Sequence, residues 1–178
     1  MTAMPAHADK EPYAMRYVLV SACLLGAPVR FDGGHKRSGS EILASWIAER
    51  RVVAVCPEVA AGLPTPRMPA EISGGAGGSE VLAGRAKVID ARHEDVFKTF
   101  VAGAHLALAL ARRMNIRVAV LKEGSPSCGT GFVYDGSFSG TRVRAQGVSA
   151  ALLEQHGIRV FGEEAFEQAH AYLSNWPG

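Results

Sequence analysis

The side chains in this sequence best suited to chemistry are three cysteines, Cys23, Cys56 and Cys128, the only cysteines among 178 residues. They lie 33 and 72 residues apart, so a contiguous ligand motif such as C-x2-C is absent. An odd number of cysteines cannot all pair as disulfides within one chain. Three thiolates can hold zinc with an open fourth position, or three irons of a 4Fe-4S cluster with the fourth iron free.

Each cysteine follows a short apolar run that predicts a buried strand, over 17–22, 51–55 and 118–121. Two further strands are predicted over 86–89 and 158–161. Capping residues and apolar spacing predict helices over 41–50, 94–113, 148–156 and 163–173. Alternating short strands and helices predict an α/β domain with a mostly parallel sheet.

The strand predictions place all three cysteines at the carboxyl ends of strands. In open parallel sheets, ligands bind in the crevice at that edge, so residues distant in sequence converge there. Buried cysteine is also a common small core residue, which is the competing interpretation for any one of them taken singly. Three such positions together favour a site.

Composition narrows the class of protein. The chain is 48% hydrophobic and 20% charged, which excludes a largely disordered protein, and its net charge of +2 disfavours binding to polymeric nucleic acid.

Residues 1–16 contain no apolar signal segment and are predicted to be a flexible extension, with one α/β domain over 17–178. No membrane span is predicted. We therefore expect a cytoplasmic protein, where thiols serve as ligands or nucleophiles more often than as disulfides.

Two segments are predicted with less regular structure. The stretch 58–85 is rich in proline and glycine and is expected to be mostly loop. Its run Gly74–Gly78 lacks the pattern of a phosphate-binding loop and is interpreted as a flexible lid or loop. A small hairpin is predicted around 134–137. The helix over 94–113 is apolar on nearly every face of its interior and is expected to be buried against a sheet or partner.

Three motifs in this sequence surround the cysteines. They are Ser21-Ala22-Cys23-Leu24-Leu25-Gly26 with Val29-Arg30-Phe31-Asp32-Gly33-Gly34, Cys56-Pro57-Glu58 with Pro66-Arg67-Met68-Pro69-Ala70-Glu71, and Leu121-Lys122-Glu123 with Ser125-Pro126-Ser127-Cys128-Gly129. Together they resemble the domain-of-unknown-function 523 family, whose characterised members are thiouracil desulfidases. The resemblance implies a Rossmann-like domain with helices on both faces of the sheet. It also implies a 4Fe-4S cluster on Cys23, Cys56 and Cys128, with the fourth iron open to the substrate's sulfur.

The implied reaction converts a thiolated pyrimidine, either 2-thiouracil or 4-thiouridine monophosphate, to the oxo-pyrimidine and sulfide without net oxidation or reduction. An open iron favours the soft thiocarbonyl, and water then attacks the thiolated carbon. Glu58 is the expected base, with a salt bridge to a nearby loop as its alternative. Ser125 is expected to hold the pyrimidine or relay a proton, with Ser127 as a further donor, and capping of loop amides is the alternative for both. Ser21 is a third candidate donor, to the pyrimidine or to a cluster sulfur.

Cationic residues in or beside the motifs are candidates for binding the phosphate of a nucleotide substrate: Arg30, Lys36, Arg67 and Lys122. Asp32 is placed with them as a substrate-binding residue that can also orient Arg30. The expected partners are a small thiopyrimidine or thionucleotide and the machinery that assembles clusters.

Two other functions remain open at this point. A sulfurtransferase would carry a persulfide on one essential cysteine and would not need iron. A redox sensor or electron carrier would show a reversible redox couple and no turnover of thiolated bases.

Overall fold

The computed structural model of the protein describes residues 15–177. Its strands are β1 (Val18–Ser21), β2 (Val52–Val55), β3 (Ala70–Ile72), β4 (Val88–Asp90), β5 (Val118–Leu121), β6 (Val133–Tyr134), β7 (Arg142–Val143) and β8 (Arg159–Gly162). Its helices are α1 (Glu41–Ala48), α2 (Pro57–Ala60), α3 (Gly78–Leu82), α4 (Phe97–Arg113), α5 (Val148–Gln155) and α6 (Phe166–Ser174).

The central sheet is parallel throughout, in the order β2-β1-β5-β8, and β1 pairs with both β2 and β5. The connection from β1 leads to one side of the sheet, and the chain later returns to the other side of β1. The order of the strands therefore reverses at β1. This is the position at which open α/β sheets form a crevice at the carboxyl ends of their strands.

Helices cover both faces of this sheet, as predicted. Val18 and Val20 of β1 face a cluster that includes Trp46 of α1 and Phe166 of α6. Leu19, between them, faces the opposite cluster, formed largely with α4 and α5. Because successive residues of a strand point to opposite faces, a strand covered on both sides must be apolar at every position. The continuous apolar runs of β1 and β5 have this origin. The burial predicted for the strand over 51–55 is wrong in part, because β2 lies at the edge of the sheet and only Val55 is buried.

The stretch 58–85 contains more structure than the predicted loop, because α2, β3 and α3 lie within it. These elements have three to five residues each, too short to leave a periodic pattern. The lid or loop predicted at Gly74–Gly78 does not extend through Gly78, because this residue begins α3. Gly78 packs so closely on Gly147 that a Cβ would lie 2.3 Å from its carbonyl oxygen, and the Gly78 amide donates to Gln146 O at 2.7 Å.

Helix α4 begins at Phe97 and packs one face into the core. Phe100, Ala104 and Leu108 lie in that core, whereas Leu106 on another face remains 46% exposed. The small alanines on the buried face let the helix lie close to its neighbours.

The predicted hairpin is confirmed, because β6 and β7 pair in antiparallel fashion with Val133 opposite Val143. Most of the predicted extension over 1–16 lies outside the described residues. Within them, Arg16 donates to Leu173 O at 2.7 Å and accepts from Arg51 Nε through its carbonyl. None of the helices described between residues 15 and 177 is long and apolar enough to cross a membrane.

Candidate active site

All three cysteines line one cavity of about 760 Å³ at the carboxyl edge of the central sheet. Cys23 lies in the 3-10 turn Ala22–Leu25 directly after β1. Cys56 follows β2 and is the N-cap residue of α2. Cys128 lies in the loop that follows β5. The convergence expected from the strand ends is therefore present in the structure.

The loop that carries Cys128 is held by the first turn of α5. The amides of Val148 and Ser149 donate to Pro126 O and Ser127 O, both at 2.8 Å. Gly147 permits this approach, since a Cβ there would lie 2.5 Å from the Ser127 carbonyl oxygen. These backbone contacts hold the Cys128 loop against the first turn of α5.

The turn that carries Cys56 is supported from below by α4. Gly103 of α4 lies against Pro57, and a Cβ at residue 103 would be 2.4 Å from the Pro57 carbonyl oxygen. Pro57 begins α2, where the missing amide proton costs no helical hydrogen bond. The position of Cys56 therefore depends on a glycine 47 residues further along the chain.

Burial raises the pKa of all three thiols above their usual range. Weaker influences oppose it, chiefly the charge of Arg30 at Cys23, the Val59 amide at Cys56 and the Ser21 hydroxyl at Cys128. Without a bound metal the cysteines are neutral thiols at pH 7. Metal binding must therefore displace their protons.

The donor set suits a cluster better than a single ion. Nowhere in residues 15–177 do three histidine, cysteine or acidic side chains gather around one ion position. Each thiolate of a 4Fe-4S cluster binds a different iron, so cluster ligands lie farther apart around a shared cavity. Three soft donors on separate loops around one cavity match that requirement.

A carboxylate and a hydroxyl lie beside the thiols. Glu58 Oε2 accepts from Arg67 Nε at 2.8 Å and lies 2.7 Å from Arg67 Nη2, and both side chains are largely buried, at 14% and 8% exposed. Glu58 Oε1 faces Ser125 Oγ at 3.5 Å. The salt bridge considered as an alternative for Glu58 thus exists, but it leaves the second oxygen directed at another cavity residue.

The four predicted cations all line the cavity and differ in their partners. Arg67 pairs with Glu58, and Lys122 Nζ pairs with Glu163 at 2.6 Å. Arg30 makes a long ion pair with Asp32, at 3.6 Å, and its guanidinium carbon lies 5.6 Å from the centroid of the Phe31 ring. Among the described residues, no ion pair within 4.0 Å is found for Lys36.

The remaining predicted residues divide into one inside the cavity and two outside it. Ser21 lines the cavity, and its hydroxyl accepts from the Lys122 amide at 3.0 Å. Ser127 instead turns into the core, where its hydroxyl lies 2.8 Å from that of Ser149. Asp32 lies at the surface, where the Gly34 amide and Arg30 lower the pKa of its carboxyl.

Sequence reasoning gave no role to several cavity residues that the structure brings in: Glu71, Glu123, Phe132, Tyr134, Arg142, Glu163 and Glu164. Glu71 and Glu123 were visible as members of the motifs. The others lie after the last cysteine, in segments with no strong local signal.

Fold and cavity together define an α/β protein with three convergent thiols and a carboxylate, Glu58, at the switch point of a parallel sheet. The model of the 2-thiouracil desulfurase family matches residues 18–165. This chain belongs to that family, whose members are enzymes that act on a carbon–sulfur bond.

Individual relatives agree with the family match. The chain is 47% identical over 146 residues to the uncharacterized protein YbbK of Bacillus subtilis (strain 168), covering 82% of this chain and 95% of YbbK. It is also similar to a solved structure described as the 4Fe-4S-dependent thiouracil desulfidase TudS, with 46% identity and a TM-score of 0.81. That match covers 89% of this chain and 98% of the other.

Proposed function

We propose that this protein removes sulfur from thiolated pyrimidines with the help of a 4Fe-4S cluster held by Cys23, Cys56 and Cys128. The observation that carries the proposal is the convergence of all three thiols on one cavity that also holds Glu58 and Ser125. The similar solved structure is described as 4Fe-4S-dependent, which supports the same group here. Proteins that assemble clusters would then be partners of this chain.

The reaction exchanges one oxygen for one sulfur. Water adds its oxygen to the thiolated carbon, the carbon–sulfur bond breaks, and the products are the oxo-pyrimidine and hydrogen sulfide, so no electron is gained or lost. When bound, the cluster supplies a soft Lewis acid for the thiocarbonyl sulfur.

Glu58 would take the proton from the attacking water. A general base needs an oxygen that reaches the water and a side chain held in one position. Arg67 holds Oε2 with two nitrogens and lies 8% exposed, so it acts on Glu58 and is poorly placed to bind substrate. Oε1 is left as the oxygen available to water.

Ser125 would donate a hydrogen bond inside the cavity. Its Oγ accepts from the amides of Ser127 and Cys128, both at 3.1 Å. These two bonds occupy the acceptor positions of the hydroxyl, so its proton is free to point at Glu58 or at the pyrimidine. Ser127 is directed away from the cavity, and Ser125 is therefore the serine assigned to the reaction.

Arg30 and Lys36 are the cations best placed for the phosphate of a nucleotide substrate. Lys122 and Arg67 already have close carboxylate partners, at 2.6 and 2.7 Å. An anion that displaced either one from its carboxylate would leave that carboxylate unpaired in a partly buried place.

The test is anaerobic reconstitution with iron and sulfide, followed by sulfide release from 2-thiouracil and from 4-thiouridine monophosphate. We expect about four irons and four sulfides per chain and sulfide release from at least one substrate. An Arg30→Ala variant would slow the nucleotide more than the base if the phosphate binds there. Reconstituted protein that holds no iron, or that releases no sulfide, would overturn the proposal.

A further inference from the structure

Two motif carboxylates with no part in this chemistry, Glu71 and Glu123, hold the same segment of chain. Glu71 Oε2 accepts from the amides of Gly136 at 2.9 Å and Phe138 at 3.0 Å. The Glu123 carboxylate accepts from three consecutive amides, 130–132, at 3.1 to 3.4 Å. Glu123 thus holds the start of the segment, and Glu71 holds its turn.

The segment held in this way forms one side of the cavity. Its side chains Phe132, Tyr134 and Arg142, here called the hairpin wall, all line the cavity. Glu71 is itself nearly buried, at 9% exposed, and belongs to β3, while Glu123 follows β5. Both acids therefore connect the hairpin wall to the α/β body of the molecule.

Contacts within the hairpin wall give it a defined shape. The Arg142 guanidinium carbon lies 4.4 Å from the centroid of the Phe132 ring. Phe132 and Tyr134 meet edge to face, with ring centroids 6.0 Å apart. Gly124 lies beside the Phe132 ring, because a Cβ at residue 124 would be 3.0 Å from Phe132 Cε2.

Such a surface fits a flat, conjugated ligand. Aromatic rings and guanidinium planes contact heterocycles through dispersion and through the ring quadrupole. A wall that is ordered before the ligand arrives loses less conformational entropy on binding, so its contacts contribute more to affinity. The hydrogen bonds of Glu71 and Glu123 supply that order.

We propose that the hairpin wall recognises the pyrimidine ring of the substrate, with Phe132 as its main contact and Glu71 and Glu123 as positioning residues. This inference rests on the proposed function, since the ligand class is taken from it. The thiols and Glu58 perform the chemistry from other elements, and the wall determines which heterocycle reaches them.

The test of the contact compares Phe132→Leu with Phe161→Leu. Phe161 is a matched control because it is also half-buried beside an arginine, Arg159 at 5.8 Å, but it lies outside the cavity. We expect Phe132→Leu to raise both the KM for 2-thiouracil and the Kd for uracil about ten-fold, the range of a base–aromatic stack. The kcat and the iron content should change little. Unchanged KM and Kd, or an equal rise in the control, would overturn the inference.

The positioning role is measured by amide hydrogen exchange. Glu71→Gln should speed exchange at residues 136 and 138, and Glu123→Gln at 130–132, each with a higher Kd for uracil. Glu80→Gln is the control, because Glu80 accepts from the Gly77 amide at 3.2 Å away from the cavity. Faster exchange without any change in Kd would contradict the positioning role. Wild-type protein that binds uracil but releases no sulfide would overturn the proposed function alone, since Kd and exchange are read without turnover.

Discussion

The two sides of the cavity are built by different means. On the side of the cysteines, each cysteine lies in the first turn or loop after a strand of the parallel sheet, as with Cys23 after β1 and Cys56 after β2. On the side of the hairpin wall, the strands β6 and β7 have two residues each, and acidic side chains hold the segment in place. The first side depends on the sheet, and the second depends on a few hydrogen bonds.

Because different contacts hold the two sides in place, we expect them to differ in their tolerance of substitutions. The loops after strands are fixed by close backbone packing, such as Gly147 against Ser127, so small shifts there are costly. The hairpin wall is joined to the body by the side chains of Glu71 and Glu123. We expect their loss to free the segment without disturbing the central sheet. Reaction chemistry should therefore be the property of the cysteine side, and substrate preference that of the hairpin wall.

The largest effect on the cysteine side should come from replacing any one of Cys23, Cys56 and Cys128 by serine. If all three hold a cluster, each variant loses sulfide release. It also loses the absorbance at about 400 nm that is typical of thiolate-held clusters. Absorbance, iron content and sulfide release are the measurements. A result in which a single cysteine is essential and iron is irrelevant would instead favour a persulfide sulfurtransferase.

The next effect is expected at Glu58→Gln. Removal of a general base lowers turnover by about 10²–10⁴-fold, while the thiols and the cluster spectrum should be unchanged. The measurement is kcat for sulfide release, normalised to iron content, with Glu80→Gln as a control at a carboxylate outside the cavity. Turnover equal to wild type would remove Glu58 from the reaction.

A smaller effect is expected at Arg67→Lys, which keeps the charge but cannot place two nitrogens on Glu58 Oε2. We expect kcat to fall about ten-fold, because a carboxylate displaced by a fraction of an ångström is a poorer base. In a Glu58→Gln background the same change should have no further effect. Arg51→Lys, at the Glu49 ion pair on the surface, is the control. Additive effects in the double variant would show that Arg67 acts independently of Glu58.

The smallest effect on turnover should come from Ser127→Ala. It leaves the buried Ser149 hydroxyl without its 2.8 Å partner, so the free energy of unfolding should fall by about 1–3 kcal/mol while kcat/KM is unchanged. Ser125→Ala is the informative companion and should lower kcat. Denaturant unfolding and sulfide release measure the two properties separately. A larger loss of kcat at Ser127 than at Ser125 would reverse the roles assigned to the two serines.

The parallel sheet and the convergence of the thiols were predictable because strands buried on both faces leave continuous apolar runs, and because parallel strands end at one edge. Neither rule predicts the direction in which a single side chain points. Ser125 and Ser127 flank the same proline, yet one faces the cavity and the other faces Ser149. Arg67 resembled a phosphate-binding cation until its pairing with Glu58 was visible.

The hairpin wall was predicted only as a small hairpin. Its strands are too short for periodicity, and its anchors Glu71 and Glu123 lie 65 and 7 residues from the nearest amides they hold. Hydrogen bonds from a side chain to backbone amides seven or more residues away leave no local pattern in a sequence. The part of the cavity assigned to substrate recognition was therefore the part least accessible to sequence reasoning.

The most direct test of the account is the Mössbauer spectrum of the anaerobically reconstituted, iron-57-labelled protein with and without 2-thiouracil. Three cysteine ligands leave one iron of a 4Fe-4S cluster without a protein thiolate. The account predicts that the substrate changes the signal of that one iron and leaves the other three unchanged. Four irons that are all unaffected by 2-thiouracil, or protein without a cluster, would contradict it.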